Sequence, residues 1–234
     1  SLPTPDATRE SSFPAAQESD RSLGDPNAQV TFVVYTDYQS SAGAALDTVL
    51  RDLVVKYPLA VRMVQRSFPV PNSDKGMLAA AAAEAAARQG KYWEMSAALF
   101  DHQAEWTGLE GALFLDWLET QVAELRMDSG QFNQDLRDPE IKTSLDQAQR
   151  FGLETGIPVI PFLVVNGEIY QGPRDLRSLE SLVNLLRMET LQFSECPPFN
   201  IDPARAYTAE LETTRGRIVL QLYPREAPLA VNSF

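Results

Sequence analysis

The spacing of apolar residues changes period three times along the chain. Residues 29–35, Gln-Val-Thr-Phe-Val-Val-Tyr, are short, β-branched and aromatic, and predict a buried strand. Gly24-Asp25-Pro26-Asn27 before it is turn chemistry. Ala42, Ala45, Leu46, Val49, Leu50, Leu53 and Val54 then fall at helical spacing, with Ser40 placed to cap the helix and Pro58 to stop it. Residues 60–66 return to a strand pattern, which ends at Phe68-Pro69-Val70-Pro71.

A long helical stretch follows. Residues 77–88 are mostly alanine, the best helix former. Residues 92–100, 110–125, 129–136 and 139–153 carry apolar stripes, the last through Ile141, Leu145, Ala148 and Phe151. The spacing of the aromatics matches burial, so they predict core rather than a cofactor pocket. Strand pattern resumes at Pro161 and predicts a hairpin closing on Asn166-Gly167. Residues 175–191 predict a final amphipathic helix. Strand, helix, strand, several helices, strand, strand, helix is an α/β plan with a helical insertion.

The two ends read differently. Residues 1–22 are rich in Ser, Thr, Pro, Ala and Glu without periodicity, and are expected to be a flexible spacer of the kind that follows a removed signal peptide or lipid anchor. That expectation places the protein outside the cytoplasm. Residues 23–193 form the main domain, and 194–206 are a Pro-rich linker. Residues 207–234 alternate about Gly216, as a β-hairpin does, and end on a helix start.

Composition narrows the chemistry. A formal net charge of −12 disfavours nucleic acid as a partner. One cysteine, Cys196, cannot form an internal disulfide, and with one histidine, His102, it is too few for a typical zinc site. No metal and no cofactor is expected. Cys196 lies in the linker and reads as incidental, His102 as a surface residue at a helix end. No apolar run approaches the roughly 18 residues of a membrane span.

The order of elements and three motifs resemble the DsbA-like branch of the thioredoxin superfamily, over residues 23–191. The motifs are Gly24-Asp25-Pro26-Asn27-Ala28 with Tyr35-Thr36-Asp37-Tyr38-Gln39, then Gln89-Gly90-Lys91-Tyr92-Trp93-Glu94-Met95, and Gly156-Ile157-Pro158-Val159-Ile160-Pro161-Phe162 followed by Val165-Asn166-Gly167. The resemblance implies a thioredoxin-like fold with a helical insertion, and a cis-proline at Pro161. In that family a Cys-x-x-Cys opens the helix after the first strand. The matching positions here are Ser40-Ser41-Ala42-Gly43. A helix N-terminus lowers a thiol's pKa, but it does not bring a serine hydroxyl near neutrality, and Gly43 has no side chain to act as the resolving thiol. The resemblance therefore implies no catalytic residue, with Ser40 and Gly43 as degenerate cysteine positions. It also implies a surface that pairs with an extended peptide, at Tyr38, Gln39, Ser40, Ile160 and Pro161.

Residues 207–234 resemble the opening of a cyclophilin-type peptidyl-prolyl isomerase, carried by Thr214, Gly216, Ile218, Leu222, Pro224, Ala227, Pro228, Val231, Asn232 and Phe234. That family's catalytic arginine and aromatic pocket fall beyond residue 234, so the sequence is expected to be a piece of a longer isomerase. The function expected is a redox-inactive module of an exported folding factor that binds unfolded or proline-containing chains, not itself an enzyme. Two alternatives stand beside it: a glutathione-binding, transferase-like domain using Ser40 at a helix N-terminus, and a purely structural or dimerisation domain, a homodimer being one possible assembly.

Overall fold

The computed structural model describes residues 13–189 and 198–233. Cys196 and the predicted last turn of the helix at 190–191 lie outside the described residues. The chain divides into two compact units, Ser1–Arg187 and Met188–Phe234, a few residues earlier than the pattern placed the boundary.

The first unit is built on a five-stranded sheet. Its strands are β1 (Arg21–Gly24), β2 (Val30–Thr36), β3 (Val61–Ser67), β4 (Phe162–Val165) and β5 (Glu168–Ile169), in the order β1-β3-β2-β4-β5. Only β2 and β3 run parallel, joined by α1 (Ser41–Lys56). A helix is the connection that parallel neighbours need. Between β3 and β4 stands the predicted helical insertion: α2 (Gly76–Ala87), α3 (Tyr92–Asp101), the short α4 (Gln103–Trp106), α5 (Gly111–Glu124), α6 (Ser129–Leu136) and α7 (Pro139–Glu154). After β5 comes α8 (Leu176–Glu189).

Alternation along β2 assigns its two faces. Phe32 and Val34 pack with Leu46, Leu50 and Leu53 of α1 and with Leu179 and Val183 of α8. Val33 and Tyr35 point the other way, into a cluster with Phe68, Phe162 and Val164. The insertion has its own core around Trp106, Phe114, Leu118 and Phe132, as the aromatic spacing predicted. In α2 seven alanines from Ala79 to Ala86 are buried, and Glu84 is paired with Arg21 of β1. Small side chains on every face let neighbouring helices close in around it.

Local chemistry fixes the turns. Asp128 and Asp138 cap α6 and α7 by accepting from Gln131 N and Glu140 N. The β4–β5 turn puts Asn166 at φ 48° and Gly167 at φ 88°, the left-handed pair a two-residue hairpin demands. Asn166 also accepts from Thr31 N and donates to Gln29 O, which ties the hairpin to the start of β2.

Residues 13–22, expected within the spacer, are instead held at a few points, though Pro14, Ala15 and residues 17–19 are exposed. Phe13 is 7% exposed and lies in the Tyr35–Phe162 cluster, while Asp20 pairs with Arg66 and Arg21 opens β1. A single ring and one carboxylate anchor this segment, which is too sparse a signal for periodicity to register.

The second unit contains an antiparallel hairpin, β6 (Tyr207–Thr213) with β7 (Gly216–Leu222), and the short α9 (Pro228–Asn232). Asn232 ties it together, accepting from Asn200 N and donating to Pro198 O. Leu211, Ile218, Val219 and Leu229 are exposed. Among the described residues no helix is long and apolar enough to cross a membrane.

Candidate functional site

The segment after β2 enters α1 through Ser40. Its backbone is extended, and its Oγ accepts from Gly43 N at 3.0 Å, so Ser40 is the N-cap that its residue type predicted. No acidic residue sits in the first turn. The partial positive charge of the helix end is therefore offset by Ser40 Oγ without a carboxylate.

Gly43, in that first turn, is packed against β2. A β-carbon on residue 43 would lie 2.5 Å from Thr36 Oγ1 and 3.2 Å from Ser40 Cβ. Thr36 is buried, and its Oγ1 has no hydrogen-bond partner among the described residues. Residue 43 is thus closed to a larger side chain by a neighbouring hydroxyl.

Across from α1 stands the loop before β4, where the Ile160–Pro161 peptide is cis. Arg174 donates from its guanidinium to Pro161 O at 2.5 Å. Ala42, Ala45, Leu46, Val49, Pro161, Arg174 and Asp175 line an apolar depression of about 500 Å³ between the helix and the loop. Ser41, Ala42 and Ala45 are exposed, and Val159 beside the loop is 59% exposed. The fold therefore brings the start of α1 and Pro161 to the two sides of this depression, with Ile160 half-buried and Pro161 itself buried.

Tyr38 and Gln39 are placed differently from the expectation that they contact peptide. Tyr38 is 2% exposed and turned inward. Its hydroxyl accepts from Gln65 Nε2 at 2.8 Å and donates to Ser96 Oγ at 3.1 Å, and burial pushes its pKa well up. An aromatic residue beside a helix start has no sequence mark that distinguishes it from a surface residue, and here the insertion supplies partners that draw it in. Gln39 spends its amide on the neighbouring loop. It donates to Asp74 Oδ1 and accepts from Ser73 Oγ and Lys75 N. Beneath it, buried Asp37 accepts from Gln39 N at 2.7 Å and Val70 N at 2.9 Å. These two residues set the loop geometry that presents Ser40.

His102 sits exposed where α3 ends and hydrogen-bonds Glu105, as a surface histidine. Next to it, Gln103 donates to Tyr38 O at 2.6 Å. The reading of the sequence gave no site role to Arg174, to Thr36 or to the alanines of the depression. What this surface offers chemically is apolar area, one helix N-terminus, the Arg174 guanidinium and the Asp175 carboxylate.

Comparison with known proteins supplies context. Residues 16–184 match the family model described as Thioredoxin. A solved thioredoxin-like oxidoreductase from Silicibacter pomeroyi DSS-3 is 26% identical, covers 74% of this chain and 94% of its own, and superposes with a TM-score of 0.59. Wolbachia pipientis alpha-DsbA1 is 19% identical, covers 75% of this chain and 94% of its own, and gives a TM-score of 0.64. The Na(+)/H(+) antiporter NhaA 3 of Salinispora tropica is 31% identical over 171 residues, which are 73% of this chain and 25% of the antiporter. The chain spans about a quarter of the length of the curated relatives it matches.

Proposed function

This chain belongs to the thioredoxin family, with the DsbA-like helical insertion, and we propose that it is a member that works without thiol chemistry, holding extended polypeptide beside Pro161. The observation that carries this reading is the apolar depression between α1 and the cis-proline loop, opposite a helix start whose residues are Ser40 and Gly43. Dithiol exchange needs an attacking thiolate and a resolving thiol. The sequence holds one cysteine, far from this surface in the chain.

A depression of this size accepts one or two apolar side chains of an extended segment. Exposed Val159 widens the apolar margin, and the backbone at Ile160 gives a chain groups to pair with. The charged groups lining it, Arg174 and Asp175, sit together, so a neutral, proline-containing stretch suits it better than a charged one.

Residues 207–234 would be the opening of a cyclophilin-type isomerase to which this module delivers its chain, and the whole protein would work outside the cytoplasm. The antiporter relatives support a module carried on larger proteins, because the matching stretch is only a quarter of them.

The test is retention of a reduced, unfolded protein by the full chain, compared with an Ala45→Glu variant. Ala45 is exposed, so the variant keeps the fold while placing a carboxylate in the depression. Capture that Ala45→Glu weakens at least tenfold supports the reading. Equal capture by both, or none by either, rejects it. Acceleration of insulin reduction by the wild-type chain would reject the thiol-free part separately. On the longer protein, isomerase activity toward an unfolded substrate should fall when the thioredoxin-like unit is removed, while activity toward a short peptide stays unchanged.

A further inference from the structure

Strand alternation puts a second groove on the face of β2 opposite α1. Its floor is Val33, Tyr35, Val64, Phe68, Phe162 and Val164, and the chain's own Phe13 and Ala16 lie on it, with Pro14 and Ala15 between them exposed. The Phe13 ring lies 4.7 Å from that of Phe162 and 5.7 Å from that of Tyr35, centroid to centroid, in tilted arrangements. Ala16 packs on the same cluster.

The backbone of this arm is read by one residue. Arg66 donates to Pro14 O at 2.8 Å and to Ala15 O at 2.9 Å, while its remaining N–H groups reach both oxygens of Asp20 and the Tyr35 hydroxyl. Burial alone would raise the Asp20 carboxyl, but the Arg66 guanidinium and Gln17 N–H outweigh it and hold it below its ordinary value. A ring in an aromatic pocket and two successive carbonyls on one guanidinium are the contacts by which an extended peptide is recognised.

The arm fills this groove incompletely. Arg62 reaches Gln17 O only at 3.4 Å, and its buried Nε has no acceptor among the described residues. Beside the arm a cavity of about 390 Å³ stays open, lined by Pro14, Gln17, Asp20, Tyr35, Arg66 and Phe151 among others. The open space beside Pro14 and Gln17 leaves room for a bulkier segment than the arm itself supplies.

We propose that this groove is a peptide-binding site in its own right, which takes an extended aromatic–Pro–Ala segment in trans, and that Phe13–Ala16 is the segment occupying it in cis. It is distinct from the depression beside α1, though the two share a wall. Phe162 follows Pro161 in the chain, and Ile160 borders the Phe13 cluster. Occupancy of the groove therefore bears directly on the cis-proline loop from behind.

The probe is a fluorescein-labelled peptide with the sequence of residues 9–20, Arg-Glu-Ser-Ser-Phe-Pro-Ala-Ala-Gln-Glu-Ser-Asp, titrated by anisotropy into the full chain. The expected result is binding to the Phe13→Ala chain at least tenfold tighter than to wild type, because that variant withdraws the competing ring. The same peptide with Ala in place of its Phe should lose that binding, a control that leaves the protein untouched. Should Phe13→Ala fail to fold by circular dichroism, Asp20→Asn loosens the arm through its other anchor and is read in the same way. The inference is overturned if the peptide binds no better to a folded, loosened chain than to wild type, or if the Ala peptide binds equally. Ala45→Glu leaves this binding unchanged, so failure here and failure of the peptide-holding reading are told apart.

Discussion

Thr36 Oγ1 occupies the space into which a β-carbon on residue 43 would project, 2.5 Å from it. Glycine inside a helix is ordinarily about 1 kcal/mol worse than alanine, so propensity alone says Gly43→Ala should stabilise. The contact reverses the sign. We expect Gly43→Ala to cost about 1–3 kcal/mol, the range for overpacking. Thr36→Ala should recover most of that loss, since it removes the hydroxyl and leaves room. Urea unfolding of the two single variants and the double would show the non-additivity. Additive losses would mean that Thr36 is not the obstacle.

Asp37 is 2% exposed and accepts from two backbone amides, Gln39 N and Val70 N. Asp37→Ala leaves both without a partner. The expected loss is about 2–4 kcal/mol, from one to two for each orphaned donor. Hydrogen exchange at residues 39 and 70 should speed up selectively. Unchanged protection at both would show that other groups hold the loop.

Ser40→Ala removes the N-cap of α1 and should cost about 1 kcal/mol, the usual value for such a loss. Ser40→Asp should keep most of that stability, since a carboxylate caps as well and suits the positive end of the helix. Thermal unfolding reads both variants, and equal losses for Ser40→Ala and Ser40→Asp would show that the side chain at 40 does not cap the helix.

Asp47 on α1 is buried, and burial pushes it up to about 6 despite Arg51 Nε at 2.7 Å, with Asp101 adding repulsion. The folded state therefore holds this proton up to a higher pH than the unfolded chain does. Its contribution is fully present below the unfolded value of 3.8 and is lost as pH rises through about 6, an effect of up to about 3 kcal/mol. Carboxylates such as Asp138 and Asp175 are held low and act in the opposite sense at lower pH. The measurement is the difference in unfolding free energy between wild type and Asp47→Asn from pH 4 to pH 7. It should slope with pH, the wild type losing ground; a flat difference would refute the shift.

Much of the fold was legible because single residues carried unambiguous local chemistry. Ser40 marked a helix start, Asn166-Gly167 a hairpin, and the alanines of α2 a helix packed on all sides. The β6–β7 hairpin was legible from alternation around Gly216. Strand β1 and the docked Phe13 were not, because each depends on partners far along the chain, Met63 and Gln65 for one and Phe162 for the other. The site divided in the same way. Pro161 and Ser40 stand where their motifs put them, whereas Tyr38 is turned inward by Gln65 and Ser96, residues with no sequence sign of that task. The alanines of the depression matter for being small, and smallness has no motif.

The pairing of Phe32 with Val165 joins positions separated by roughly 130 residues. A ribosome adding about 5–20 residues per second needs roughly 7–27 s to cover that distance. Once Met63 and its neighbours in β3 are made, β2 can pair with β3 but has an open edge on its other side, while the whole insertion emerges and acquires its helices. The central sheet thus closes late in synthesis, and a nascent chain spends seconds with a bare, apolar strand edge that other proteins can engage.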